Sequence, residues 1–542
     1  MSEQDVSWGS APRRTLGEVV GAAARAFPDK PALLFGDDGV TYRELDERSN
    51  AYGNALLKLG IAKGDCVSVF MENCLEMAYA WIGLGKIGAL EVGVNTAYRG
   101  EYLRHPIAST RSSVVIADAA LAPRVLELVS ELPHLQHLVV RGELDLGLVA
   151  EQASRVAITD LRNFLDDDPG PVHIAEAPTY ADPCAVQFTS GTTGRSKGAV
   201  MSHNVPVIVA QGFVDAAKMT SDDVVYSPLP MFHFSIKTTA MLCSFLVGGT
   251  AVIDTRFSVS RTWDQVRRYR ATGVNILGSM MLMLWNLPPE PRDKALPVRF
   301  IVGVPIPEHL HHKMEERYGC RFVSVYGMSE TGSQTLSGID RPGVPGASGK
   351  PVAHYQIKLF DRDEREVPVG QVGEIVCRPL QPHVMFEGYF ADPEATAAAQ
   401  KNLWMHTGDL GRFDEDGNLY FVDRLKDSIR RRGENISSIE VELTVLKHPA
   451  VAEAVAHAVP SEFSEDEVKL CVILRSDHKL TAEQLMDHCV KNLPFFAVPR
   501  YLEFLDDLPR TPVGRPQKNV LRERGVTSQT WDREAVGYKV PR

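Results

Sequence analysis

The hydrophobic period of this chain switches repeatedly between that of a helix and that of a strand, and this switching restricts the fold more than any other feature. Leu45, Tyr52, Leu56 and Leu59 fit one helical face, and Cys66-Val67-Ser68-Val69-Phe70 follows as an apolar run of strand length. Residues 71–90 return to a helical pattern, with many alanines and glycines small enough for close packing. Ser113-Val114-Val115-Ile116 and Leu138-Val139-Val140 read as strands again. Such alternation predicts α/β layering around parallel strands. The 542 residues suffice for several packed layers and more than one domain.

The pattern continues downstream. Ala251-Val252-Ile253 is strand-like, 263–269 is helix-like, and 298–302 and 321–326 are further strands. The last two run into loops, where ligands of α/β sheets collect. Residues 161–183, rich in Asp and Pro, read as a surface loop. Between 351 and 421 the strands shorten, with turns centred on Asp361-Arg362-Asp363 and Asp414-Glu415-Asp416-Gly417. A boundary is expected near 423–426, where charges crowd. Beyond it, 439–446 and 482–490 read as helices, and 453–459, 467–474 and 501–504 as strands. The expectation is a large domain over 1–424, with a β-rich third subdomain at about 351–422, and a small α+β domain over 425–542.

A net charge of -11 with no basic block at either end argues against a nucleic-acid partner. The eight cysteines are scattered and form no CxxC pair, which predicts free thiols in a reducing cytoplasm. The first residues lack the basic and apolar runs of a signal peptide, and the apolar run 205–214 is too short to span a bilayer, so no membrane role is expected.

Chemistry is concentrated in Thr189-Ser190-Gly191-Thr192-Thr193-Gly194-Arg195-Ser196-Lys197-Gly198, between the apolar stretches 185–188 and 199–201. Glycines let the backbone turn closely around an anion, hydroxyls and amides donate to it, and Lys197 adds a mobile positive charge. This is not a P-loop, since Gly198 follows the lysine where that loop needs Ser or Thr.

The stretch resembles the phosphate loop of adenylate-forming enzymes: acyl-CoA synthetases, peptide-synthetase adenylation domains and firefly-type luciferases. The resemblance runs from Thr41-Tyr42-Arg43-Glu44-Leu45 to Pro509-Arg510-Thr511-Pro512. It passes through Pro228-Leu229-Pro230-Met231-Phe232-His233, Tyr326-Gly327-Met328-Ser329-Glu330-Thr331, Gly373-Glu374-Ile375 and Thr407-Gly408-Asp409-Leu410. It continues through Asp423-Arg424-Leu425-Lys426-Asp427 and Gly433-Glu434-Asn435-Ile436. Within the superfamily the chain looks most like the acyl-CoA ligase branch. The closer resemblance is to carnitine-type CoA ligases and to ligases of actinobacterial natural-product pathways, the platensimycin-type diterpenoid ligases among them.

The resemblance implies a large, multi-subdomain adenylate-binding N-terminal domain and a small, mobile C-terminal one. It implies the conversion of a carboxylic acid and ATP to acyl-AMP and pyrophosphate, followed by attack of coenzyme A to give the thioester and AMP. On that pattern Thr189, Ser190, Gly191, Thr192, Thr193, Gly194 and Lys197 hold the phosphates, and Thr192 and Glu330 lie close to Mg2+. Tyr326 stacks on adenine beside Gly327, Met328 and Thr331, while Gly303, Val304 and Pro305 pass beneath the base. Asp409 takes the ribose hydroxyls and Arg424 the ribose or phosphate oxygens. His233 gates the acyl pocket, whose wall draws on Phe232, Lys237, Ser279, Met280, Gly303 and Gly327. The methionines at 280, 281 and 283 would serve equally as core. Lys426 is the hinge, Gly433 lines the pantetheine tunnel, and Arg430 and Arg432 reach the coenzyme A phosphates.

Four departures from the family pattern stand out. Gly303-Val304-Pro305 replaces paired glycines, Ser196 stands where proline is usual, and Phe495-Phe496-Ala497-Val498-Pro499 lacks a lysine often found there. Most consequential is Gly514-Arg515, where the family carries Gly-Lys. That lysine bridges the substrate carboxylate and the α-phosphate during adenylation, and a guanidinium keeps its charge but not its shape. The expected function is therefore an AMP-forming acyl-CoA ligase for a bulky hydrophobic acid, with adenylation impaired at Arg515. Two rivals stand beside it: an enzyme that thioesterifies acyl-adenylate supplied by a separate adenylating partner, and one that loads a carrier protein.

Overall fold

The structure is a computed structural model. It describes all residues except 1–13, 144–153, 166–168, 190–195, 304–305, 341–342, 426, 428, 432–433, 461–465, 494, 496, 512–513 and 541–542. The chain divides into two compact units. The first comprises Met1–Ile357, Cys377–Met405 and Gly417–Leu419, and the second Lys358–Val376, His406–Asp416 and Tyr420–Arg542. The division passes through the strands of the β-rich stretch.

The first unit holds two seven-stranded sheets. One runs in the order Ala157–Asp160, His137–Arg141, Val114–Asp118, Cys66–Phe70, Leu90–Gly93, Pro183–Thr189, Lys197–Ser202, parallel until its last, antiparallel pair. The other runs Arg321–Val323, Phe300–Val302, Gly273–Asn275, Val224–Ser227, Thr250–Ile253, Pro31–Phe35, Asp38–Thr41, again parallel until the final hairpin. Strands of parallel sheets are covered on both faces and so read as continuous apolar runs. The run Cys66–Phe70 is buried throughout for this reason.

Several boundaries differ from expectation. The pattern at 71–90 resolves into the helix Leu75–Ile87, closed by Gly88 in a left-handed conformation, and a separate buried strand Leu90–Gly93. A helical reading ran through this strand because both elements are buried and apolar. Residues 321–326 are two strands, since the Ser324 amide donates to the Ser337 hydroxyl (2.8 Å) and the chain leaves one sheet for another as Val325–Met328. The presumed loop at 161–183 begins with a helical turn, Leu161–Phe164, in which Asp160 caps the Arg162 amide. The methionine run splits by helical geometry: Met281 is core, Met280 half-buried and Met283 exposed.

The second unit carries a four-stranded sheet in the order Val451–Pro460, Asp466–Leu474, Tyr501–Phe504, Trp531–Asp532. The helices Ser438–Val445 and Ala482–Asn492 pack on it through Val441, Val445, Leu485 and Met486. The latter helix starts at a capping box between Thr481 and Gln484. All eight cysteines are free and buried. Burial pushes the Cys489 thiol up to about 12, so it stays protonated and unreactive. No described helix is long and apolar enough to cross a membrane.

Candidate functional site

Three of the sequence blocks in the first unit emerge at the C-terminal ends of parallel strands, where side chains are presented to ligands. The phosphate loop follows Pro183–Thr189, the Pro228–His233 block follows Val224–Ser227, and Gly303 follows Phe300–Val302. The loop's apex, Ser190 to Arg195, lies outside the described residues. Its base is a hairpin in which Thr189 opposes Lys197, with the Thr189 hydroxyl 3.4 Å from the Lys197 carbonyl. A ring nitrogen of His105 lies 2.8 Å from the carbonyl of Ser196, and the His105 ring stands edge-on to Phe188. His105 was not foreseen, because a lone histidine on a helix carries no pattern.

Tyr326 and Glu330 flank a tight antiparallel turn between Val325–Met328 and Gly332–Leu336. Gly327 makes it possible, since a Cβ there would lie 2.0 Å from the Gly332 carbonyl oxygen. Tyr326 is buried, and the Thr331 amide donates to the Met328 carbonyl (3.2 Å). Glu330 is 4 % exposed, and its Oε1 accepts from the Tyr389 hydroxyl at 2.8 Å. Lys197 Nζ stands 5.1 Å from the centroid of the Tyr389 ring. Burial, then the Glu330 charge, push the Tyr389 phenol up, so it remains a donor. A single carboxylate suits Mg2+, which binds through one or two carboxylates, waters and phosphates rather than a full protein cage. Thr192, its expected companion, lies outside the described residues.

The block carrying His233 is fixed by a residue that the motifs did not reveal. Asn73 donates to the carbonyls of Leu229 and Asp254 (2.8 Å each) and accepts from the Met231 amide (2.7 Å). The Leu90–Gly93 strand packs against the same block: a Cβ on Gly93 would lie 2.8 Å from the Phe232 carbonyl oxygen. His233 is half-buried, its ring tilted against Phe232 at 4.5 Å. Lys237, expected on the acyl wall, is instead buried in an ion pair with Glu91, its ammonium 5.5 Å from the Trp81 ring centroid. It opens a π-helical turn, 237–242, a form frequent at functional sites.

In the second unit, Glu374 explains the Gly373-Glu374-Ile375 block. Its carboxylate accepts from the Gly408 amide (3.1 Å) and pairs with His406 (2.8 Å), while the Thr407 hydroxyl donates to the Ile375 carbonyl (2.7 Å). These contacts hold the kink at Gly408, in a left-handed conformation within the strand Trp404–Phe413, which carries Asp409. Asp409 lies 3.6 Å from Arg424 Nε. Asp423 accepts from both the amide and the hydroxyl of Ser438 (2.7 Å each), fastening the 423–427 stretch to the helix Ser438–Val445. Lys426, Arg432 and Gly433 lie outside the described residues, as do Val304, Pro305 and the side chain of Arg430. Arg431, between them, is buried on Glu467 (2.6 Å) and the Val498 carbonyl (3.0 Å).

The Thr511–Arg515 turn is closed by the Thr511 amide on the Arg515 carbonyl (2.7 Å) and the Arg515 amide on the Thr511 hydroxyl (3.1 Å). Arg510 is spent on Glu453 and Lys518 on Glu442 (2.8 Å) and Ser438. The exposed Arg515 side chain has no ion-pair partner among the described residues.

One further cluster could ligate a cation: His311, His312 and Glu315. The Glu315 carboxylate already serves Arg321 (3.0 Å) and the Phe322 amide (3.2 Å). Against the upward push of burial, the nearby His311 ring (3.6 Å) and hydrogen bonds from the Phe322 amide and His312 bring it down to about 2. It reads as a structural carboxylate.

Comparison with known proteins places the chain in a family. The model of the AMP-binding enzyme family matches residues 20–390, and that of the AMP-binding enzyme C-terminal domain matches 440–515. The crotonobetaine/carnitine–CoA ligase of Citrobacter koseri is 33% identical over 514 residues, covering 92% of this chain and 97% of its own. Among solved structures, the anthranilate CoA ligase AuaEII in complex with anthranoyl-AMP aligns with a TM-score of 0.85 at 25% identity, over 95% of this chain and 98% of that one. ATP-bound MatB from Rhodopseudomonas palustris aligns with a TM-score of 0.81 at 25% identity, over 96% and 100%. This chain belongs to the AMP-binding, adenylate-forming enzyme family, in its acyl-CoA ligase branch.

Proposed function

We propose that this acyl-CoA ligase acts on a bulky, mostly hydrophobic carboxylic acid and that adenylation is its slow half-reaction. ATP, Mg2+ and coenzyme A are the cofactors of such an enzyme. In the first step a carboxylate oxygen attacks the α-phosphorus and pyrophosphate leaves. In the second the thiol sulfur attacks the acyl carbon, AMP leaves with the bonding electrons, and a proton is released. The acid is already ionised near neutral pH, so no side chain must deprotonate it. Lys197 would neutralise phosphate charge, Mg2+ would sit by Glu330, Asp409 would hold the ribose, and His233 would stand at the acyl carbonyl.

The observation that carries the proposal is the state of the Thr511–Arg515 turn. Its lysine position is arginine, and Lys518, the nearest lysine in sequence, is committed to Glu442 and Ser438. A planar fork needs oriented acceptors, whereas an ammonium on a flexible stem can follow charge as it moves from carboxylate to phosphate. The same observation favours a second reading, in which a separate adenylating enzyme supplies the acyl-AMP. Eight buried free thiols suit work in a reducing cytoplasm.

The test measures pyrophosphate release from ATP and acid beside thioester formation from preformed acyl-adenylate. Crotonobetaine, carnitine and anthranilate, taken from the relatives' names, are compared with larger hydrophobic acids. We expect the second rate to exceed the first by a wide margin. Arg515→Lys should raise pyrophosphate release about ten-fold, roughly 1.4 kcal/mol of barrier, with full restoration prevented by Ser196. Equal, fast rates for both steps would leave an ordinary two-step ligase and refute the proposed defect.

A further inference from the structure

The geometry points to Tyr389 as a positioning residue for adenylation, a spacer that holds Lys197 and Glu330 apart and aims both at the polyphosphate. This rests on the proposed roles of Lys197 and Glu330. The two carry opposite charges and both contact the one phenol. Lys197 stands over the ring face at 5.1 Å and Glu330 accepts from the hydroxyl at 2.8 Å. Neither forms an ion pair with the other among the described residues. Without the phenol, nothing in this arrangement would prevent them from pairing directly. Each would then be withdrawn from its task, the ammonium from phosphate and the carboxylate from Mg2+.

The ring cannot drift from this post. Tyr389 bridges to Ala199, on the strand that carries Lys197, and the Phe390 amide donates to the Gly198 carbonyl (2.7 Å). The Tyr389 amide donates to the Thr396 hydroxyl (2.9 Å), and the ring stands edge-on to Phe386 at 5.1 Å. The Phe386 amide in turn donates to the backbone carbonyl of Glu330 (2.7 Å). The segment 386–390 therefore fixes both the backbone and the carboxylate of Glu330 against the exit strand of the phosphate loop. On the carboxylate, Oε1 is occupied by the phenol, and Oε2 has no hydrogen-bond partner among the described residues. That leaves one oriented oxygen for a cation.

The experiment titrates ATP into the full chain by calorimetry, without Mg2+ and with saturating Mg2+, and records the thermal midpoint. Tyr389→Phe keeps the ring and removes the hydroxyl. It should leave Mg2+-free ATP affinity within about two-fold and cut the Mg2+-dependent gain in affinity about ten-fold, the scale of one hydrogen bond to a charged group. Tyr389→Leu should also weaken Mg2+-free binding a few-fold, as Lys197 loses its aromatic face. A merely structural tyrosine would lower both affinities together with the midpoint, which would overturn the proposal, as would a full Mg2+-dependent gain in Tyr389→Phe. Glu330→Gln separates the two readings. If it keeps the whole Mg2+-dependent gain, the carboxylate assignment fails and the proposal with it. If it loses the gain while Tyr389→Phe behaves as the parent, only the positioning role fails.

Discussion

Lys237→Met should destabilise the first unit by about 3–5 kcal/mol, the cost of leaving one member of a buried ion pair alone. Lys237 and Glu91 are 4% and 3% exposed in their side chains. Removing the ammonium would strand the Glu91 carboxylate inside the protein, and Glu91 Oε1 already has no hydrogen-bond partner among the described residues. The pair joins the strand Leu90–Gly93 to the helical segment that follows His233, so strain there should also reach the Phe232–His233 block. Thermal and urea unfolding of the full chain would measure the loss. The double variant Glu91→Leu/Lys237→Met should recover most of it, because an apolar pair of similar volume replaces a charged one with little net change. An unchanged midpoint in Lys237→Met would show that the ammonium is not needed to compensate Glu91.

Asp409→Ala should reduce thioester production from ATP by about a hundred- to a thousand-fold, corresponding to about two hydrogen bonds from ribose hydroxyls to a charged acceptor. The side chain is buried on the strand Trp404–Phe413, next to a kink at Gly408 held by Glu374 and Thr407, so its direction is fixed before nucleotide arrives. AMP affinity measured by calorimetry should fall in parallel, which makes the result independent of the acid used. Asp409→Asn keeps one acceptor oxygen and should fall between the two. Unchanged AMP affinity and unchanged product formation in the alanine variant would remove Asp409 from the ribose site.

Period revealed the layers of this protein, and the motifs its family. Alternating short apolar runs and helical faces encode sheets covered on both sides, and that pattern is local, so it can be read without partners. Tyr501–Phe504 is a strand over the residues its period marks, whereas the pairing of Thr189 with Lys197 in a hairpin is seen only in the fold. The pattern failed where both neighbours are buried and apolar, as at Leu90–Gly93, and where one hydroxyl redirects a strand, as at Ser324.

What only the tertiary structure decided is the set of side chains that hold the motif residues in place. Met231 meets Asn73 across 158 positions, Lys237 meets Glu91 across 146, Ser196 meets His105 across 91, and Glu330 meets Tyr389 across 59. None of these partners repeats at a helical or strand period, and a single Asn, His or Tyr carries no signal of its own. Their roles arise because the fold brings segments distant in sequence side by side. The same holds for charge. Arg431 looks in sequence like a solvated cation and Lys237 like part of the acyl wall, yet burial and a facing carboxylate tie both of them to the scaffold, as a carboxylate also ties Lys518. The sequence could show that Arg515 departs from the family, but only the folded chain shows that Lys518 is engaged elsewhere, because an ion pair is a property of positions in space and not of order along the chain.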